Sequence, residues 1–193
     1  KKFFNILNLD FEKKYRQFTS LSIILPCLNE SKNLTKCLSE ITKTHFQDLF
    51  LSVEFIFVDG GSKDNSVKIA KKFSKIKVYS LRNYKRGESI NFGVNKSKGD
   101  IVAIFPTDNE YNTEDLKTLV KDVYYRNSEA VFGSRAIKCM DLTQQIKKVY
   151  KNNYFGYLIS KYGGLLISTF TLLLYNRFLT DPLTTLKCFE SSM

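Results

Sequence analysis

The sequence predicts an α/β fold: a mostly parallel central sheet with helices on both faces. Three observations predict it. Short continuous apolar runs, Leu21–Pro26 and Val53–Val58 among them, read as strands buried on both faces. Helical stretches of about ten residues separate these runs, and strands alternating with helices imply parallel βαβ units. Two apolar runs lead into a carboxylate, at Asp59 and at Asp108. In an open α/β sheet the strand C-termini line the ligand crevice.

The elements follow in order. Residues 1–18 carry Phe3, Phe4, Ile6, Leu7, Leu9 and Phe11 among lysines and read as an N-terminal extension, a surface-packed helix. Leu21–Pro26 is the first strand. Ser31 is a candidate cap for the next helix, whose stripe Leu34, Cys37, Leu38, Ile41 has the i, i+3, i+4, i+7 spacing. Val53–Val58 is the second strand, Gly60-Gly61-Ser62 a tight turn, and Asp64-Asn65-Ser66 the start of a helix through Val67, Ala70 and Phe73. Ile76–Ser80 is the third strand. Gly87 opens a short helix to about Asn95, and Ile101–Phe105 is the fourth strand. Asn112 or Thr113 caps a helix with Glu114 and Asp115 in its first turn, where the dipole favours acids. Its stripe is Leu116, Leu119, Val120, Val123 and Tyr124. Ala130–Phe132 is the fifth strand, residues 142–178 are mostly helical, and Leu186–Phe189 is a last strand.

At 193 residues and 43% apolar content the chain supports one domain with a core, which excludes a disordered chain. The net charge is +11, and from Val67 to Arg86 there are eight Lys or Arg and no acid. That run reads either as a solvated face or as an attraction to anionic lipid or phosphorylated substrates. No nucleic-acid-binding module accompanies it, so no nucleic-acid partner is expected. Cys27, Cys37, Cys139 and Cys188 show no CxxC pairing and read as reduced thiols in a cytoplasmic setting. His45 is the only histidine and lies in a polar stretch, so catalysis is expected to work without one. No signal peptide is visible. Tyr162–Asn176 is the most lipid-like segment. It is short of the roughly 20 residues a span needs and fits a buried or interfacial helix.

Asp108 and Glu110 lie two apart, so an extended backbone aims both to one side; the pair reads either as ligands of a hard cation beside a diphosphate or as a polar helix-entry loop. Asp59 reads either as a crevice acid that accepts from a base or ribose, or as the turn-forming Asp before Gly-Gly. Pro26-Cys27-Leu28-Asn29-Glu30 reads either as a ligand loop or as a plain helix entry. No GxxxxGK[ST] and no GxGxxG is present, so phosphates must be neutralised by a metal with Arg and Lys.

Five blocks in order carry a resemblance: Pro26-x-x-Asn29-Glu30; Val58-Asp59-Gly60-Gly61-Ser62-x-Asp64-x-Ser66; Arg82 followed by Gly87 and Gly93; Gly99-Asp100; and Thr107-Asp108. The chain resembles the family 2 glycosyltransferases of GT-A fold over about residues 20–190. Gly133-Ser134-Arg135 and Asp181 to Lys187 are similar to segments of the polyprenyl-phosphate sugar transferases, the dolichol-phosphate mannose synthase group. The resemblance implies an N-terminal extension over 1–19 and a GT-A domain over 20–193, of which C-terminal parts are missing if the chain is a fragment. It implies a nucleotide-diphosphate sugar donor held by Pro26, Leu28, Asn29, Glu30, Asp59, Arg86, Gly87 and Asp108. It implies Mg²⁺ or Mn²⁺ at Asp108 and Glu110. Catalytic roles fall to Asp108 and Arg135, and Arg135, Lys147, Lys148 and Lys187 are candidates for an acceptor phosphate. Leu28 stands where an aromatic residue is common, Gly60 where a second Asp is usual, Pro106 in place of the first Asp of DxD, and Thr185 where Gly is expected.

Three functions are implied. One is inverting transfer to a lipid-linked acceptor such as polyprenyl phosphate, with the chain peripheral on the inner face of the membrane. Another is transfer to a hydroxyl of a polysaccharide or glycolipid, with Asp141 or Asp181 as base. The third is a weakly active or non-catalytic nucleotide-binding subunit. Oligomeric state is not legible.

Overall fold

The computed structural model describes residues 18–82, 84–125, 128–134, 154–176 and 179–192. The expected helix over residues 1–18 falls, up to residue 17, outside the described residues, as do residues 135–153. The chain forms two compact units, one ending at Val131 and resuming at Cys188, the other running from Phe132 to Lys187.

Six strands, β1 Ser20–Cys27, β2 Ser52–Asp59, β3 Ile76–Ser80, β4 Ile101–Ile104, β5 Ala130–Phe132 and β6 Lys187–Glu190, lie in the order β3-β2-β1-β4-β6-β5. β1 pairs parallel with β2 and with β4, and β2 pairs parallel with β3. The Glu190 amide donates to the Glu129 carbonyl at 3.0 Å and the Gly133 amide to the Leu186 carbonyl at 2.8 Å, so β5 and β6 run antiparallel. The chain builds outward from β1 through β2 to β3, then returns to place β4 on the other side of β1. Strand order therefore reverses at β1 and β4, the position at which open α/β sheets bind ligands.

Every residue from Leu21 to Cys27 is buried, Ser22 included, as a strand covered on both faces requires. Ile24, Ile56, Val58, Val102 and Ile104 form one face of the core. The alternate residues Ile23, Leu25, Phe57 and Ala103 point the other way and are also buried, so both faces are covered. Helix α1 (Ser31–Lys43) buries the expected stripe Leu34, Cys37, Leu38 and Ile41. Ser31 does not cap it. Instead Asp64, 33 residues on, accepts the Ser31 amide at 2.9 Å and the Ser66 amide at 3.0 Å. Helix α2 (Ser66–Ala70) is five residues and stops before Phe73. Helix α3 (Arg86–Lys96) packs on β1 and β2 through Gly93, where an added Cβ would come within 2.5 Å of an Ile24 methyl. Helix α4 (Thr113–Tyr124) opens on the Asn112 capping box: Asn112 Oδ1 accepts the Asp115 amide at 2.8 Å, and Asp115 returns a bond to the Asn112 amide at 3.2 Å.

In the second unit, α5 (Tyr154–Tyr175) is 22 residues long. Its described side chains Leu166, Phe170, Leu173, Leu174 and Tyr175 are exposed. Among the described residues no helix is long and apolar enough to cross a membrane.

Candidate functional site

The C-terminal ends of β1, β2 and β4 open onto a hollow of about 120 Å³. β1 supplies Pro26, Cys27, Leu28 and Glu30 to its wall, β4 supplies Pro106, Thr107 and Asp108, and the β2 end and α3 supply Gly60, Tyr84, Arg86 and Ser89. Thr107 Oγ1 donates to the Pro26 carbonyl at 3.0 Å and ties the β1 and β4 ends together. Acids from separate strand ends thus share one cleft, in Glu30 and Asp108.

The charges are coupled. Arg86 faces Asp108 at 3.6 Å, with the guanidinium side chain 63% exposed. An exposed pair of this kind contributes little to stability. Asp108 Oδ1 also accepts the Glu110 amide at 3.2 Å. Burial, then the negative charge of Asp108, pushes the Glu30 carboxyl above its ordinary value against the pull of Arg86. A bound cation or a bound proton would relieve that repulsion. Burial also raises the Cys27 thiol, which stays protonated near neutrality and is no nucleophile.

Among the described residues no three His, Cys, Asp or Glu side chains form a group able to hold a metal unaided. Mg²⁺ and Mn²⁺ need less: one or two carboxylates suffice when a diphosphate and waters complete the shell. Asp108 and Glu30 both line the hollow, but by themselves form no such group. Glu110 is not part of the wall.

Five expected residues line the hollow: Pro26, Leu28, Glu30, Arg86 and Asp108. Asn29 and Asp59 do not. Asp59 is 1% exposed and accepts the Gly61 amide at 3.1 Å, the Ser62 amide at 3.0 Å and Ser80 Oγ at 3.3 Å. Its carboxylate is spent on the turn, the second of the two roles its position allowed. Asn29 sits at φ 56° and accepts the Lys63 amide at 2.8 Å, joining the β1 and β2 loops. Gly87 is exposed, and a Cβ there would meet no protein atom within 4 Å, so packing does not demand it. In the second unit Lys187 Nζ lies 5.1 Å from the centroid of the Phe132 ring. Arg135, Lys147, Lys148 and Asp141 lie outside the described residues. Sequence reasoning missed Tyr84, Ser89 and Thr107 as wall residues. No local pattern marks Tyr84 or Ser89, although Tyr84 offers the aromatic surface that Leu28 lacks.

The model for glycosyl transferase family 2 matches residues 22–183. An uncharacterised protein of Methanocaldococcus jannaschii is 31% identical over 155 residues, covering 75% of this chain and 62% of its own. The chain thus spans less than two thirds of that relative's length. The UDP-N-acetylglucosamine–dolichyl-phosphate N-acetylglucosaminyltransferase of Methanococcus voltae is 25% identical, over 88% of this chain and 69% of its own. Glucosyl-3-phosphoglycerate synthase of Mycobacterium tuberculosis, solved with Mn²⁺, UDP and glucosyl-3-phosphoglycerate, shares the fold. Its TM-score is 0.65 at 18% identity, with 95% of this chain and 60% of that one covered. With its strand order, its cleft and a family match across most of its length, the chain belongs to glycosyl transferase family 2 and has the GT-A fold.

Proposed function

We propose that the chain transfers a sugar, with inversion, from a nucleotide-diphosphate donor to a lipid-linked acceptor such as polyprenyl phosphate. The observation that carries the reading is the hollow at the β1–β4 reversal, where Glu30 and Asp108 meet Arg86. The diphosphate lies at the β4 end. Asp108 and Glu30 would hold Mg²⁺ or Mn²⁺ there. That cation supplies Lewis-acid neutralisation of the leaving diphosphate. Arg86 would exchange Asp108 for a phosphate oxygen and offer it a planar donor fork. Pro26, Leu28 and Tyr84 give apolar surface to the nucleoside, and the open space at Gly87 lets the ligand approach α3.

An acceptor that is already a phosphate anion needs no general base. The Methanococcus voltae relative, whose name specifies a dolichyl-phosphate acceptor, supports that class. Arg135, Lys147, Lys148 and Lys187 are the cations assigned to the acceptor phosphate. The exposed apolar side chains of α5 fit peripheral contact with the inner face of a membrane.

The test is transfer from UDP- and GDP-sugars to polyprenyl phosphate against hydroxyl acceptors. Product on the phosphate acceptor is expected. Product on hydroxyl acceptors alone overturns the acceptor assignment. Asp108→Ala is expected to cut kcat/KM by at least about 10²-fold and to remove metal-dependent nucleotide binding; retained turnover overturns the cation assignment.

A further inference from the structure

Ser89 is 2% exposed and lines the hollow from α3. Among the described residues its Oγ is the buried side-chain oxygen without a hydrogen-bond partner. A buried hydroxyl left in that state is costly, and native folds keep few of them. The position across from it is Gly60, where an added Cβ would lie 3.3 Å from Ser89 Oγ and 2.9 Å from the Tyr84 carbonyl. A side chain at residue 60 would cover the hydroxyl, and glycine leaves it facing the hollow.

The sheet order says which part of a ligand reaches this point. Asp108 follows β4, and Gly60 follows β2, with β1 between them. Two strand spacings separate those ends by about 10 Å. A diphosphate at Asp108 therefore runs its nucleoside across the β1 end toward Gly60, Tyr84 and Ser89. The carboxylate at that end is not in the wall: Asp59 is 1% exposed and accepts the Gly61 and Ser62 amides and Ser80 Oγ.

We infer that Ser89 reads the base of the donor nucleotide: the polar edge of the base enters the hollow along the wall where the Tyr84 amide bonds the Gly60 carbonyl at 3.1 Å, and completes the hydrogen bonding of Ser89 Oγ. The inference rests on the nucleotide-sugar reading above. A hydroxyl both donates and accepts, so it pairs with a ring N–H or a carbonyl. It discriminates by leaving a mismatched base edge unpaired in a dry site.

The test is calorimetry on the full chain with Mn²⁺ and UDP, CDP, GDP or ADP, and with inorganic pyrophosphate as the base-free control. Ser89→Ala is expected to weaken the preferred nucleoside diphosphate about tenfold and to compress the ranking among the four. It is expected to leave pyrophosphate binding unchanged. The melting temperature of the ligand-free variant should equal or exceed that of the parent, because an unpaired buried hydroxyl has been removed. Unchanged affinity and ranking overturn the inference. So does an equal loss for pyrophosphate, which would put the contact on phosphate, or a lowered ligand-free melting temperature, which would make Ser89 structural. If the parent chain binds none of the four nucleotides, the nucleotide-sugar reading itself fails.

Discussion

The two ends of the sheet use the same residue types to opposite effect. At the N-terminal end, Asp100 Oδ2 accepts the Thr19 amide at 2.9 Å, Thr19 Oγ1 at 3.0 Å, the Ser20 amide at 3.1 Å and Ser20 Oγ at 2.8 Å. Glu54 accepts Ser22 Oγ at 2.6 Å, the Lys98 amide at 2.8 Å and Lys77 Nζ at 2.6 Å. Burial alone would raise both carboxyls, but these donors outweigh it and hold them below their ordinary values. At the C-terminal end Asp108 meets one backbone amide and one exposed guanidinium, and Glu30 is pushed up instead of down. Acids satisfied by the chain's own donors fasten the fold. Acids held against each other, with little of the protein answering them, contribute little to holding the fold.

The contrast breaks first if Asp108→Ala unfolds the protein. The mutation is expected to abolish turnover while lowering stability by no more than about 1 kcal/mol in urea denaturation, since it removes one backbone-amide bond and one weak ion pair. The next largest effect lies at the opposite end. A Cβ at Gly99 would fall 2.5 Å from the Ser22 amide nitrogen and 2.7 Å from Ser22 Oγ. Gly99→Ala should cost about 3 kcal/mol, because backbone on both sides must shift, with the nucleotide affinity of the remaining folded fraction unchanged.

Asp100→Ala should cost about 2 kcal/mol, since it strands donors that now bond a charged group. Its sign with pH is fixed. The folded carboxyl titrates below the unfolded one, so the unfolded chain binds more protons and stability rises with pH. The contribution is complete above the ordinary Asp value near 3.9 and is lost as pH falls through the lowered folded value. A parent chain no more acid-sensitive than Asp100→Ala, in melting temperature against pH, would contradict this.

Glu30→Gln should be smallest and opposite. The folded Glu30 carboxyl titrates above the unfolded one, so its contribution is present below the ordinary Glu value and lost as pH rises through the raised folded value. Gln removes that loss, and the neutral-pH stability should be equal or slightly higher, within about 0.5 kcal/mol. A clear drop in melting temperature would show Glu30 fastening the fold as Asp100 does.

Local pattern carried much of the architecture. Ile76–Ser80 and Ala130–Phe132 are strands with the expected bounds, and the α1 stripe is buried as its spacing implies. These features depend on period and on continuous apolarity, which neighbours along the chain supply. The α1 cap was misread because its acceptor, Asp64, belongs to a loop 33 residues away.

The site was half legible for the same reason. Motif order and spacing mark Pro26, Glu30 and Asp108, and strand ends are where such residues must sit. What each side chain then does is a matter of competition in space. Asp59 has Gly61, Ser62 and Ser80 within bonding distance and turns inward. Ser89 has no partner because α3, held close to β1 and β2 at Gly93, carries it to a wall that offers none. Chain chemistry thus settles which segments become strands and helices, since backbone sterics and apolar period act over a few residues. Only the packed molecule decides which polar groups are used up internally and which face a ligand, because hydrogen-bond partners come from segments tens of residues apart.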